Sequence, residues 1–308
     1  MGQQIVECVP NVSEGRDRAK VGQLAAAVAE TPAAALLDIH SDADHNRSVI
    51  TFAGRPRAVL EAAVRLAGRA AELIDLNHHH GAHPRIGALD VLPFVPYRGL
   101  TLADCAELAA AAGEEIWTRH AVPVYLYEAA ARRPERVNLA AVRRGQFEQL
   151  RELALTDPER RPDIGGPALH PTGGAVAAGA RKVLIAYNIL LDTPDVTLAR
   201  RIARQVRASS GGLAGVKAMG VALASRNTAQ VSMNLTDYEV TPPHVVFDAV
   251  RRAAEAAGAG VRASELVGLI PRKAIELAGE TDLRWENLTP NSILENRIEQ
   301  ALASGTLE

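Results

Sequence analysis

The sequence predicts an α/β protein made of two ferredoxin-like βαββαβ subdomains, and three observations predict it. The hydrophobic periodicity switches between strand and helix in the order βαββαβ, and it does so twice. A local pattern repeats: strand, turn and Pro-led helix occur in RSVITFAGRPRAVLEAAVRLA and again in QVSMNLTDYEVTPPHVVFDAVRRA. At 308 residues one hydrophobic core is near its limit, so two lobes are expected.

In the first half, residues 5–9 read as a strand and 17–30 as an Ala-rich helix. Residues 33–40 and 47–52 read as strands, 57–76 as a helix and 89–95 as a strand. A helix over 103–119 and a strand over 122–127 extend this half. The second half reads strand 182–191, helix 196–208, strands 216–224 and 230–235, helix 244–257 and a short strand over 266–270. Residues 132–144 and the Pro/Gly-rich stretch 158–174 read as bridges. The boundary falls near Ala180, giving an N-terminal subdomain of residues 1–180 and a C-terminal one of 181–308. Helices covering one face of each sheet would leave the other faces to enclose a ligand groove.

Composition excludes several classes. The chain is 47% hydrophobic and 23% charged with net charge −2, an ordinary globular balance without the basic excess of a nucleic-acid binder. No stretch approaches the roughly 20 apolar residues of a membrane span, and the N-terminus lacks the cationic and apolar runs of a signal peptide. The two cysteines, Cys8 and Cys105, sit among apolar residues and read as buried free thiols. A cytoplasmic protein is expected.

The passage LNHHHGAHPRIGALDVLPF holds four of the nine histidines: His78, His79, His80 and His83. A metal site needs ligands converging from fixed positions, but Gly81 and Pro84 break any helix that would align His79 with His83, and no H-E-x-x-H pattern occurs. No metal is expected. His78, His79 and His80 read as residues finishing the preceding helix, facing the negative end of its dipole. His83 stands apart. Pro84 biases it toward an extended backbone, and Arg85 places a cation nearby that would keep the imidazole neutral as a base.

The run Asp38-Ile-His40-Ser-Asp42-Ala-Asp44-His45-Asn46 begins like a calcium loop. Arg47 at the sixth position and Ala53 at the twelfth break that pattern. On a strand, Asp38, His40 and Asp42 would share a face. Arg47 and Arg85 are candidate cations for anionic substrates, Asn11 and Asn46 candidate hydrogen-bonders, and His40 a candidate partner in the groove.

HxGAHPRIGALDVLPFVP resembles the signature of glutamate formiminotransferases, the amino-terminal half of vertebrate formiminotransferase-cyclodeaminase and its stand-alone bacterial relatives. VECVPNVSEGR, LLDIHSDADHNRSVITF, VPVYLYEAAAR, GARKVLIAYNILL, AQVSMNLTDYEVT and SELVGLIPRKA match in the same order, to about residue 280. The resemblance implies two α/β subdomains around a folate-binding tunnel, with a catalytic histidine in the HPR triplet, which is His83. It also implies a folate-contacting segment of Gly165, Gly166, Pro167, Ala168, Leu169, His170, Pro171, Thr172, Gly173 and Gly174. The implied reaction moves a formimino group from N-formimino-L-glutamate to tetrahydrofolate as co-substrate, in a homodimer that leaves deamination to another protein. Two positions depart from the vertebrate pattern: His40 stands where those members carry an acidic residue, and Gly173 where they carry an aromatic one. The competing readings are a metal-dependent hydrolase built on the His/Asp-rich segments and a non-catalytic folate-binding protein.

Overall fold

The computed structural model describes residues 3–307. The chain divides into two compact units, one running to Arg181 and regaining the residues from Ala301 onward, the other spanning Lys182–Gln300.

In the first unit the expected order is present: β1 (Ile5–Cys8), β2 (Asn11–Val12), α1 (Arg18–Ala29), β3 (Ala34–Asp42), β4 (Arg47–Gly54), α2 (Pro56–Leu73) and β5 (Leu89–Arg98). The first strand is split, because Pro10 lacks the N–H to continue the ladder; both pieces pair with β4 and β5. With β1 and β2 counted as one strand, the antiparallel order β3-β4-β1/β2-β5 is that of a ferredoxin-like sheet. α3 (Leu102–His120) leads to β6 (Val124–Glu128). Between β5 and β6 lies β7 (Val176–Ala180), parallel to both. The sequence reading left β7 out because VAAGA consists mostly of small residues that seldom favour strands. All five residues are buried, and a Cβ on Gly179 would lie 2.5 Å from the Tyr127 carbonyl oxygen, so the strand is narrow because its neighbours are close.

The bridge expected over 132–144 instead carries α4 (Leu139–Val142), followed by α5 (Gln146–Thr156), whose Phe147 and Leu150 are buried. Helix ends follow local chemistry. Asp17 caps α1 by accepting from the N–H groups of Ala19 and Lys20, Thr101 and Asp104 form a capping box on α3, and Pro56 opens α2. Val6, Cys8, Ile50, Phe52 and Phe94 of the sheet pack with Leu24 and Val28 of α1 and Val59, Ala63 and Leu66 of α2. Both cysteines are free and buried.

In the second unit β8 (Ile185–Leu191), α6 (Val196–Val206), β9 (Val216–Leu223), β10 (Thr228–Leu235), α7 (Pro243–Glu255) and β11 (Val261–Val267) repeat the order. The four-stranded antiparallel sheet runs β11-β8-β10-β9, the same ferredoxin-like order. The last strand lies earlier than the expected 266–270, since Gly268 turns the chain at φ +76°. Two C-terminal helices, α8 (Arg272–Ala278) and α9 (Leu294–Ala303), have no counterpart in the sequence reading. Tyr187, Ile189, Val231 and Met233 face Ile202, Val246, Phe247 and Val250 in a separate core. Among the described residues no helix is long and apolar enough to cross a membrane.

Candidate active site

His83 sits in the loop between α2 and β5, half-buried. Its Nδ1 lies 2.7 Å from the Pro84 carbonyl oxygen. A carbonyl only accepts, so Nδ1 carries the proton and Nε2 presents a lone pair, the form a general base needs. Burial lowers the His83 pKa well below its ordinary value, and the charges of Arg47 and Arg143 lower it further. Asp90 and the Pro84 carbonyl oppose them without prevailing. The imidazole is therefore neutral at physiological pH.

The cations responsible differ from the one expected. Arg85 follows His83 by only two positions, yet its guanidinium forks onto Glu148 at 2.8 and 2.6 Å, donates to His79 Nδ1 at 3.2 Å and reaches the Leu76 and His79 carbonyls. It is spent on tying the loop to α5. The cation role expected of Arg85 falls to Arg47, at the start of β4, and to Arg143, which the sequence reading did not single out. Both donate to the same Asp90 oxygen, Arg47 at 2.8 Å, while the other Asp90 oxygen accepts from the Ile86 N–H at 2.8 Å. Asp90 is fully buried. Burial opposes its charge, but Arg143 and Arg47 outweigh that and hold its pKa below the usual carboxylate range. Burial draws the Arg47 guanidinium down to about 10 against the pull of Asp90. Two cations on one anion leave a net positive charge beside His83.

Asn11 belongs to this network: it accepts from Arg47 Nε at 3.0 Å and donates to the Val9 carbonyl at 3.0 Å. Asn46 works elsewhere. Its φ of +47° is the left-handed turn that Asn tolerates. Its side chain accepts from the Gly15 N–H at 3.0 Å and donates to the His80 carbonyl at 3.1 Å, so the amide joins three loops. His79 also donates Nε2–H to the Asn46 carbonyl at 2.9 Å. The histidines after α2 do not finish the helix as expected. It ends at Leu73, an Asp75–Asn77 turn follows, and His79 is a buried structural residue. His78 lies 3.8 Å from Asp75 with its side chain exposed.

On β3 the alternation holds: Asp38, His40 and Asp42 are half-buried while Ile39 and Ser41 are exposed. Cross-strand partners share a face, which puts these three opposite Thr51, Val49 and Arg47, with Asn11 also opposite Val49. His40 therefore lies on the Arg47 side of the sheet.

The segment from Gly165 to Gly174, expected by resemblance to touch folate, is no loose bridge. Leu76 N–H donates to the Thr172 carbonyl at 2.9 Å, Ala88 N–H to the Gly173 carbonyl at 2.8 Å and Asn77 to the Pro171 carbonyl at 3.0 Å. His170 and Gly174 exchange two backbone hydrogen bonds of 2.9 Å, and His170 Nδ1 accepts from the Gly173 N–H at 2.9 Å. Gly165 and Gly174 have φ of +72° and +69°, and the peptide between Gly166 and Pro167 is cis. A Cβ on Gly165 would lie 2.4 Å from the Trp117 ring, and one on Gly174 2.1 Å from the Ile86 carbonyl oxygen. Pro167 and Ala168 are exposed and Leu169 is buried. A Cβ at Gly173 would lie 3.1 Å from His170 Nδ1 and 3.2 Å from the Ala71 Cβ, so a side chain there would need those neighbours to shift by a few tenths of an ångström. The loop that carries His83 and this glycine-rich segment are thus bonded side by side. Among the described residues no group of three or more His, Cys, Asp or Glu side chains is placed to hold a metal ion.

Comparison with known proteins finds matches over both units. Residues 5–181 match the family described as Formiminotransferase domain, N-terminal subdomain, and residues 186–304 match the Formiminotransferase domain. The chain is 43% identical over 296 residues to the glutamate formimidoyltransferase of Streptococcus pyogenes serotype M1, covering 96% of this chain and 99% of the relative. It is 41% identical over 299 residues to that of Thermoplasma acidophilum, covering 96% and 98%. Similarity to the formimidoyltransferase-cyclodeaminase of Sus scrofa, 46% over 292 residues, covers 92% of this chain but only 53% of that longer protein. The chain belongs to the formiminotransferase family.

Proposed function

We propose that this protein is a glutamate formimidoyltransferase: it transfers the formimino group of N-formimino-L-glutamate to N5 of tetrahydrofolate, yielding 5-formiminotetrahydrofolate and L-glutamate. The full-length likeness to two proteins of that name carries the reading, and the state of His83 supports it chemically.

N5 of tetrahydrofolate attacks the formimino carbon, and His83 Nε2 takes the N5 proton as the new bond forms. The tetrahedral intermediate collapses when the same imidazole returns that proton to the departing glutamate nitrogen. One neutral, correctly tautomerised histidine serves both steps and contributes roughly 10²–10⁴-fold. The net positive charge of Arg47, Arg143 and Asp90 favours an anionic substrate beside the base, and both substrates carry carboxylates. The glycine-rich segment 165–174, bonded beside the loop of His83, receives folate alongside. Holding both reactants in one place supplies a further rate gain. The reading extends to a cytoplasmic homodimer acting in histidine degradation and one-carbon metabolism.

The test is a spectroscopic assay of purified protein with formiminoglutamate and tetrahydrofolate, run with and without a chelator. Turnover unaffected by the chelator is expected. Absence of transfer would end the proposal, and loss of activity on metal removal would favour a metal-dependent hydrolase.

A further inference from the structure

The β3–β4 turn brings a second histidine to the site. The ring centroid of His45 lies 6.2 Å from that of His83, with the planes tilted by 34°. His45 is 8% exposed, and its buried Nε2 has no hydrogen-bonding partner among the described residues. The position is held firmly. The His45 N–H donates to Asp42 Oδ1 at 2.7 Å, Ala82 N–H donates to the Asp44 carbonyl at 3.2 Å, and Asn46 binds the His80 carbonyl. A Cβ on Gly81 would lie 2.2 Å from the His45 carbonyl oxygen, so only glycine lets the two histidine-bearing loops close on each other. Leaving a buried polar atom without a partner is costly, and such atoms are rare enough that each calls for a reason.

We propose that His45 is a substrate-contacting residue whose Nε2–H donates to the α-carboxylate of formiminoglutamate held at His83. This rests on the formimino-transfer reading. The α-carboxylate is attached to the carbon that bears the departing nitrogen. A donor whose reacting nitrogen meets His83 therefore carries its carboxylate within reach of a neighbouring ring. Rings 6.2 Å apart allow both nitrogens to meet adjacent atoms of one small molecule at hydrogen-bond lengths of about 2.7–3.2 Å. The local charge selects the carboxylate: Arg47 and Arg143 outnumber Asp90, and the Arg47 Nε and Nη1 hydrogens are already engaged by Asn11 and Asp90. An imidazole N–H adds directional binding to the carboxylate.

The experiment compares wild type, His45→Ala and His45→Gln on formiminoglutamate and on N-formimino-4-aminobutyrate, which lacks the α-carboxylate. His45→Ala is expected to raise KM for formiminoglutamate roughly ten- to a hundred-fold, the range for a hydrogen bond to a charged group. The KM for tetrahydrofolate should stay within about twofold. Gln, which keeps an N–H at similar reach, should restore most of the loss. The analogue should be a poor substrate for wild type and no worse for His45→Ala, because both changes remove one contact. A donor KM unchanged in His45→Ala, or equal losses for donor and analogue, overturns the proposal. So does a joint change in both KM values and thermal stability without rescue by Gln, the mark of a packing residue. Absence of transfer by wild type would strike the function reading instead. Calorimetric binding of formiminoglutamate to wild type and His45→Ala still reads the contact in that case.

Discussion

His83 is locked by its own neighbour: its Nδ1 donates to the Pro84 carbonyl oxygen over 2.7 Å, so the tautomer of the base is set within two residues of chain. Pro84 has no N–H, so the His83 N–H is the one backbone donor of this dipeptide.

That geometry and the depressed pKa predict the pH behaviour. Activity should be flat from neutral pH upward and fall only below the ordinary histidine range near 6.5, as His83 takes a proton. The sign for stability is the same. Below about pH 6.5 the unfolded chain binds a proton that folded His83 refuses, so this contribution is present above 6.5 and declines as pH falls. His83→Ala should lower turnover roughly 10²–10⁴-fold with folate binding retained. Steady-state kinetics and calorimetry check this, and near-wild-type turnover would reassign the base.

Asp90→Asn should be severe. It removes the anion shared by Arg47 and Arg143 and leaves their largely buried guanidinium groups facing each other. Breaking a buried pair by removing one partner costs about 3–5 kcal/mol. Urea denaturation should show that loss, and any activity that survives should have a more acidic limb than wild type.

Asn46→Ala should loosen the loops that carry His45 and His83. It deletes two side-chain hydrogen bonds and leaves a left-handed backbone on a residue that disfavours it, together about 2–3 kcal/mol. If the lacing positions the base, kcat falls by more than KM for either substrate. A stability loss with kcat unchanged would show that the loops hold without it.

Gly174→Ala tests the folate segment. At φ +69°, with the new Cβ 2.1 Å from the Ile86 carbonyl oxygen, the turn must open. A backbone conformation of this kind costs roughly 1–3 kcal/mol in an ordinary residue, before the clash is added. Affinity for 5-formyltetrahydrofolate, read by calorimetry, should drop while His83 keeps its environment. Unchanged affinity would place folate elsewhere.

Much of this was legible in the sequence because the signals are local. Period-two and period-3.6 patterns marked both βαββαβ repeats, and a proline after a histidine marked His83. What escaped shows why. β7 is built of Ala, Gly and Val, and only the closeness of β5 and β6 makes it a strand. Arg143 lies in a polar stretch that read as a bridge. Arg85 read as the nearby cation because chain distance stood in for spatial distance, yet its guanidinium turns to α5. His45 stood beside a failed calcium-like pattern, and nothing in its own neighbourhood linked it to a loop more than thirty residues on.

The sequence by itself determined the order of the two βαββαβ repeats, their ferredoxin-like topology and the family, and it singled out His83 as the candidate base, since each depends on periodicity or on adjacent residues. Tertiary structure alone decided which charges act on that base and what stands next to it. Burial converts Asp90 into a strong organiser of Arg47 and Arg143, and the strand register sets Arg47 across from Asp42. The close packing of Gly81 on the His45 carbonyl then brings a second imidazole to the first. Electrostatics and hydrogen bonding act through space at a few ångströms, and only the folded chain specifies those distances.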